Sequence, residues 1–169
     1  LSPKRVLLLY SGGLDTSCML KWIPDRYDGS EVVTLTLDLG QGENLQAAHD
    51  KALNLGAVGA HIVDATEQFA EKFLAPAICA NALYQGKYPL ATALARPLIA
   101  EIAVNVAQQV GADTIAHGCT GKGNDQVRFE VSAAALAPEL KLLAPRRDQH
   151  LLRRDELVAF CQRHRLPTR

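Results

Sequence analysis

The stretch Val6-Leu7-Leu8-Leu9-Tyr10-Ser11-Gly12-Gly13-Leu14-Asp15-Thr16-Ser17 decides the fold of this 169-residue chain. The residues from Val6 to Tyr10 form a continuous run without polar alternation, which is typical of a strand buried on both faces of a parallel sheet. Ser11-Gly12-Gly13 interrupts the run, and the following pattern predicts a helix from Leu14 to Ile23 that ends before Pro24. A buried strand, a glycine turn and a helix form the opening unit of an α/β fold.

The remainder of the chain repeats this alternation of strands and helices. Strands are predicted at 32–37, 60–63, 114–116 and 140–144, helices at 43–55, 67–80, 94–110, 125–136 and 154–164, and a loop at 86–89. The pattern predicts one domain, residues 1–169, with a Rossmann-like parallel five-stranded sheet and helices on both faces. Such sheets bind ligands beyond the carboxyl ends of their strands, so the candidate site lies after Tyr10, Leu37 and Ala116.

Composition excludes several classes of protein. The hydrophobic fraction of 48% and the charged fraction of 21% are those of a globular domain. Eighteen basic and eighteen acidic residues balance, which disfavours broad binding to nucleic acid or membrane. The basic excess in residues 146–169 is interpreted as a solvated or subunit-facing surface. The four cysteines form no CxxC pair, which disfavours a zinc site, and the lack of a leader or long apolar run favours a soluble cytoplasmic protein.

The glycine turn has the features of a phosphate-binding loop. Gly12 and Gly13 allow the backbone to approach an anion closely, and the start of the following helix attracts phosphate through its N–H groups and dipole. Asp15 is placed to hold Mg²⁺ against the phosphates. Neither GxxxxGK[ST] nor GxGxxG is present. Hydroxyl donors are available from Ser11, Thr16 and Ser17.

A second polar stretch runs from His117 to Glu130 and is rich in glycine. Short polar groups at a predicted helix start suit a small zwitterion, with donors for carboxylates and Asp125 for an ammonium group. Arg128 lies one turn further along the same helix face, where it can pair with a carboxylate. The short polar groups belong to Thr120, Asn124 and Asp125. His117 is either a general base or, as we favour, a hydrogen-bonded structural histidine.

These stretches resemble known families. The glycine loop resembles that of ATP pyrophosphatases, which cleave ATP between the α and β phosphates. The stretch TGKGNDQVRFE, residues 120–130, resembles a motif specific to argininosuccinate synthases. Residues 9–17, Leu39-Gly40-Gln41 and residues 82–97 agree with that family in order and spacing. The resemblance covers nearly the whole chain and implies an adenine nucleotide alpha hydrolase-like domain of the ATP pyrophosphatase type.

The resemblance implies a ligase that joins citrulline to aspartate through a citrullyl-adenylate and releases AMP and pyrophosphate. The ATP-binding residues it implies are Leu9, Tyr10, Ser11, Gly12, Gly13, Leu14, Asp15, Thr16, Ser17, Leu37 and Gly118. Those for citrulline and aspartate are Tyr88, Thr92, Ala93, Thr120, Asn124, Asp125 and Arg128. Catalytic roles fall to Asp15, Asp125 and Arg128, with Asp15 also binding Mg²⁺. Ala93 stands where many family members have serine, which weakens that contact with citrulline.

Several interpretations stay open from the sequence. Read without the resemblance, Tyr88 is equally a packed aromatic, and Arg96 is equally structural or functional. Family members are about twice as long, with a synthetase domain and a C-terminal oligomerisation helix that this chain lacks, and are usually homotetramers. The alternatives are therefore a nucleotide-binding module without ligase turnover, or another pyrophosphatase-loop enzyme such as a tRNA sulfurtransferase. The latter calls for an RNA-binding domain or paired catalytic cysteines, which are not visible.

Overall fold

The structure, a computed structural model, describes residues 2–119, 123–147, 154–164 and 166. The predicted substrate residue Thr120 lies outside the described residues. The elements in chain order are β1 (Arg5–Leu9), α1 (Leu14–Arg26), β2 (Glu31–Asp38), α2 (Leu45–Asn54), β3 (Gly59–Asp64), α3 (Thr66–Phe69), a π-helical turn (Ala70–Leu74), α4 (Ala75–Cys79), β4 (Leu83–Tyr84), β5 (Tyr88–Pro89), α5 (Ala91–Val110), β6 (Thr114–Ala116), α6 (Asp125–Leu136), β7 (Lys141–Leu143) and α7 (Arg154–Arg163).

The main sheet has five parallel strands in the order β3-β2-β1-β6-β7, which confirms the predicted fold class. Val6 of β1 pairs with Val32 of β2 on one side and with Thr114 of β6 on the other. The chain builds outward from β1 to β3 and then returns to the opposite side of β1. The strand order therefore reverses between β1 and β6, which opens a crevice beyond Leu9 and Ala116.

Helices cover both faces of the sheet, which explains the unbroken apolar run in β1. Leu7 belongs to the core cluster formed with α5 and α6, whereas Val6 and Leu8 belong to the cluster formed with α1. Successive residues of a strand point to opposite faces, and because helices cover both faces, all three side chains are fully buried. Burial of each such side chain contributes roughly 1.5–3 kcal/mol relative to its exposure. No helix in the described part of the chain is long and apolar enough to span a membrane.

The predicted end of α1 before Pro24 is wrong, because the helix continues to Arg26 with Pro24 inside it. Pro24 lies in the last turn, where its missing N–H removes a single hydrogen bond. The chain recovers bonds beyond it, since Tyr27 N–H donates to the Ile23 carbonyl at 3.0 Å and Gly29 N–H to that of Pro24 at 2.9 Å.

The predicted loop at 86–89 is also wrong in part, because Tyr88–Pro89 is a strand that pairs with Leu83–Tyr84 in an antiparallel hairpin. Gln85 and Gly86 have positive φ angles of 53° and 69°, which form the tight turn. The strands are two residues long, too short for a period-two pattern. The predicted helix at 67–80 contains an unpredicted π-helical turn, and α5 begins at Ala91, three residues earlier than predicted.

Candidate functional site

A cleft of about 790 Å³ lies at the crevice between β1 and β6. Its walls come from the loops after β1, β2 and β6 and from the first turns of α5. The predicted site residues that line it are Leu9, Tyr10, Ser11, Asp15, Thr16, Leu37, Thr92, Gly118 and Asp125. Predicted residues outside that lining are Gly12, Gly13, Leu14, Ser17, Tyr88, Ala93, Asn124 and Arg128. The topology thus brings together residues more than 100 positions apart in the sequence.

The loop after β1 is held by bonds within itself and by α2. Gly12 has a φ of +74°, and a Cβ there would lie 3.1 Å from the Cβ of Ala48 on α2. Thr16 Oγ1 donates to the Gly13 carbonyl at 3.3 Å and also lies 3.3 Å from Ser11 Oγ. Gly13 precedes α1 and no side chain caps that helix start within the described residues. The N–H groups in the first turn of α1 are those that an anion site uses, and Asp15 and Thr16 of that turn line the cleft.

Two of the predicted hydroxyl-bearing residues form a buried pair. Tyr10 is 3% exposed and Ser17 is fully buried, and their oxygen atoms lie 3.0 Å apart. Burial raises the pKa of Tyr10, although the Ser17 hydrogen bond opposes this, so the phenol stays protonated at neutral pH. Because its hydroxyl pairs with Tyr10, Ser17 has a structural role in the loop, while Ser11 and Thr16 provide the hydroxyl groups at the cleft.

Two cations that the sequence analysis did not select flank this loop. Lys51 Nζ donates to the Gly12 carbonyl at 2.8 Å, and Arg146 Nη1 donates to Asp15 Oδ1 at 3.3 Å. These partners are 39 and 131 residues apart in sequence, so no local pattern reveals them. The described residues contain no cluster of three or more His, Cys, Asp or Glu side chains suited to a metal, so Asp15 would offer a single carboxylate.

The cleft wall formed by α5 and α6 carries Arg96 and Asp125, which form a charged triad with Arg128, a residue outside the lining. Arg96 Nη2 donates to Asp125 Oδ2 at 2.9 Å, and Arg128 Nη1 donates to Asp125 Oδ1 at 3.4 Å. The hydrogen bond from Arg96 lowers the pKa of the Asp125 carboxyl, burial opposes this, and the charges of both arginines add to the lowering. Asn124 is exposed immediately before α6, and its side chain makes no capping bond.

The β4–β5 hairpin adjoins this wall. Tyr88 is 56% exposed, so the interpretation as a packed aromatic is wrong. Its hydroxyl lies 3.3 Å from Thr92 Oγ1, which joins the hairpin to the start of α5. Thr92 lines the cleft, while the neighbouring Ala93 is partly buried and does not.

His117 is held in a buried network, which favours the structural interpretation. Its Nδ1 accepts the Cys119 N–H at 3.3 Å, and its Nε2 lies 3.1 Å from Glu130 Oε1. Arg147 Nη1 donates to both oxygens of Glu130 at 2.5 and 2.6 Å. With both ring nitrogens engaged, the network fixes the backbone at Gly118 and Cys119. Burial raises the pKa of the Cys119 thiol, although Arg96 opposes this, so the thiol is not poised as a nucleophile.

The fold and the cleft together define a parallel α/β domain with a glycine loop at the reversal of strand order. The family model described as "Arginosuccinate synthase N-terminal HUP domain" matches residues 5–167. The chain belongs to the argininosuccinate synthase family, as its resemblance implied.

Curated relatives agree with this family. The chain is 51% identical to the argininosuccinate synthase of Jannaschia sp. (strain CCS1), over 98% of this chain and 40% of that protein. It is 53% identical to that of Synechococcus elongatus, over 97% of this chain and 41% of that protein. Identity to that of Halalkalibacterium halodurans is 50%, over 99% and 40%. The chain thus spans about two fifths of the length of these relatives.

Proposed function

We propose that this chain is the ATP-binding domain of an argininosuccinate synthase, which joins citrulline to aspartate with release of AMP and pyrophosphate. The observation that carries the proposal is the single cleft of about 790 Å³ lined by both the glycine loop and the charged triad's Asp125. An anion-binding loop and a site for charged amino acids share one cavity there. A nucleotide and an amino acid can therefore meet without a large rearrangement.

The reaction needs positioning and charge neutralisation more than a protein nucleophile. The ureido oxygen of citrulline attacks the α-phosphate of ATP, and pyrophosphate leaves. The amine of aspartate then displaces AMP from the citrullyl-adenylate. The backbone N–H groups after Gly13 would bind the phosphates, Leu37 would lie near the adenine, and Gly118 would contact the nucleotide.

Magnesium fits this site as a partner of the nucleotide. Mg²⁺ is commonly held by one or two carboxylates together with substrate phosphates, and Asp15 supplies one such carboxylate at the cleft. The bound ion would neutralise charge on the phosphates. Asp15 would have to exchange its contact with Arg146 Nη1, which at 3.3 Å and 43% exposure of the Asp15 side chain is a weak one.

The amino-acid side of the cleft would bind both further substrates. Asn124 and Asp125 would contact aspartate together with Thr120, while Tyr88 and Arg128 would contact citrulline. We further propose that the longer protein is a cytoplasmic homotetramer in which this chain is the nucleotide-binding domain. A synthetase domain and a C-terminal oligomerisation helix would complete it.

The test is pyrophosphate release from Mg-ATP by this chain, with citrulline and aspartate added separately and together. We expect release that requires citrulline, and argininosuccinate only when aspartate is also present. Omission of Mg²⁺ should reduce release. Binding of ATP without citrulline-dependent release would instead support a nucleotide-binding module without ligase turnover. Failure to bind ATP at all would contradict the proposal.

A further inference from the structure

Arg96 is a cleft residue for which neither the sequence motifs nor the comparisons give a role. It lies on α5 with Thr92, Ala95 and Ile99, all of which line the same cleft. Its side chain is 26% exposed, and it contacts Asp125 at the start of α6 across the helix pair. Arg96 therefore stands at the boundary between the helix packing and the open cavity.

The charge of the triad does not balance. Two guanidinium groups, those of Arg96 and Arg128, share the one carboxylate of Asp125. The other carboxylates in the cleft lining are Asp15, which pairs with Arg146, and Glu43 in the loop before α2. The triad taken alone therefore carries one excess positive charge, and Arg96 is the only lysine or arginine among the described residues that line the cleft, so an anionic group that enters there can pair with it.

The hydrogen bonds of Arg96 are also incomplete. Its guanidinium donates to Asp125 Oδ2 through Nη2, but its buried Nε–H has no acceptor among the described residues. A buried donor without an acceptor is unfavourable, and guanidinium groups pair preferentially with carboxylates. A carboxylate that enters the cleft could accept hydrogen bonds from these donors after a small adjustment of the Arg96 side chain.

We propose that Arg96 is a specificity-determining residue that binds a carboxylate of an amino-acid substrate, with Asp125 holding the guanidinium in place. The inference rests on the proposed function and adds a residue to its amino-acid site. The carboxylate comes either from aspartate or from citrulline, and the two sources are separated by experiment. A purely structural Arg96 would support both substrates and their uncharged analogues alike.

The experiment measures dissociation constants on this chain in the presence of a non-hydrolysable ATP analogue. Aspartate is compared with asparagine, which lacks the side-chain carboxylate, and with β-alanine, which lacks the α-carboxylate. Citrulline is compared with N-carbamoylputrescine, which lacks its carboxylate. The preference for the ligand that keeps the carboxylate is measured for each pair in the unaltered chain, Arg96→Gln and Arg96→Lys. Arg5→Gln is the control, because Arg5 pairs with Glu31 at 2.6 Å at the opposite end of β1.

We expect Arg96→Gln to reduce one of the three preferences roughly tenfold. Arg96→Lys should have an intermediate effect because lysine keeps the charge but lacks the planar donor set, and Arg5→Gln should have none. The pair that changes identifies the substrate. An equal loss of affinity for charged and uncharged ligands, or no loss, overturns the inference. Thermal unfolding checks the fold of each variant, and Arg96→Lys decides if Arg96→Gln does not fold. If the unaltered chain binds neither amino acid, the proposed amino-acid site itself is wrong.

Discussion

The two walls of the cleft are built in different ways. The wall after β1 is a short loop held by hydrogen bonds within residues 11–16 and by Lys51 and Arg146, and it offers small hydroxyls and the first-turn N–H groups of α1. The wall of α5 and α6 presents charged side chains, and its Arg96–Asp125 pair joins residues 29 positions apart. The first wall depends on backbone conformation and the second on electrostatic balance. Substitutions should therefore affect them through different physics.

Gly12→Ala should have the largest effect, and it tests the cleft wall formed by the loop after β1. An alanine at φ +74° is strained by roughly 1–2 kcal/mol, and its Cβ would also lie only 3.1 Å from Ala48 Cβ. The loop and α2 must then move apart, which displaces the phosphate-binding N–H groups. We expect affinity for ATP, measured by calorimetry, to fall by at least roughly tenfold.

Gly29→Ala is the matched control for that variant. Gly29 has a φ of +77°, but a Cβ there would meet nothing within 4 Å, and the residue follows α1 at its far end. Urea unfolding should show a loss of stability of about 1 kcal/mol with unchanged ATP affinity. Equal loss of ATP affinity in the two variants would mean that Gly12 acts through global stability and not through the loop.

Asp15→Ala tests whether the function of the loop after β1 also requires a charged side chain. If Asp15 holds a magnesium ion against the phosphates, its loss should impair citrulline-dependent pyrophosphate release more than ATP binding. The control is Asp25→Ala on the same helix, because Asp25 and Asp15 have side-chain exposures of 42% and 43% and form only weak pairs with basic residues, Asp25 with Lys21 and His164 and Asp15 with Arg146. Equal reductions in binding and release would argue against a role for Asp15 in the reaction.

The fold was largely predictable because its signals are local. The apolar run before Ser11 and the alternation of strands and helices are sufficient to predict five parallel strands. Pro24 misled the prediction because a proline in the last helical turn costs few hydrogen bonds. The β4–β5 hairpin escaped it because two-residue strands have no periodicity. Its turn depends on Gln85, which has a positive φ of 53° although it is not glycine.

The site was predictable only where its residues lie close together in the sequence. The glycine loop and the start of α6 can be recognised from single stretches. Arg146 and Lys51 reach the loop from distant elements, and nothing in their surrounding sequence distinguishes them from surface cations. The burial of Ser17 could not be predicted from the sequence either, because it depends on how α1 packs against Tyr10. Tertiary topology, and not motif content, determines these contacts.

Asp125→Asn should have the smallest effect on stability, and it tests the cleft wall formed by α5 and α6. Arg96 lowers the pKa of the Asp125 carboxyl in the folded state, burial opposes this, and the charges of both arginines help it. Its stabilising contribution is therefore complete above the unfolded pKa of about 4 and is lost as the pH falls through the folded pKa. Because the side chain is 41% exposed, we expect the variant to lose less than about 1 kcal/mol at pH 7. Urea unfolding should show this difference shrinking below about pH 4.

Asp113→Asn separates this stability effect from substrate binding. Burial by itself raises the pKa of Asp113, but hydrogen bonds from the Lys4 N–H and the Thr114 hydroxyl outweigh it and leave the pKa lowered. Both variants should therefore show their full loss of stability above about pH 4. Only Asp125→Asn should alter affinity for aspartate or citrulline. If Asp113→Asn changes that affinity as much, the charged wall acts through overall stability, and the contrast between the two walls disappears. If Asp125→Asn leaves affinity unchanged, the triad serves helix packing and the amino-acid site must lie elsewhere in the cleft.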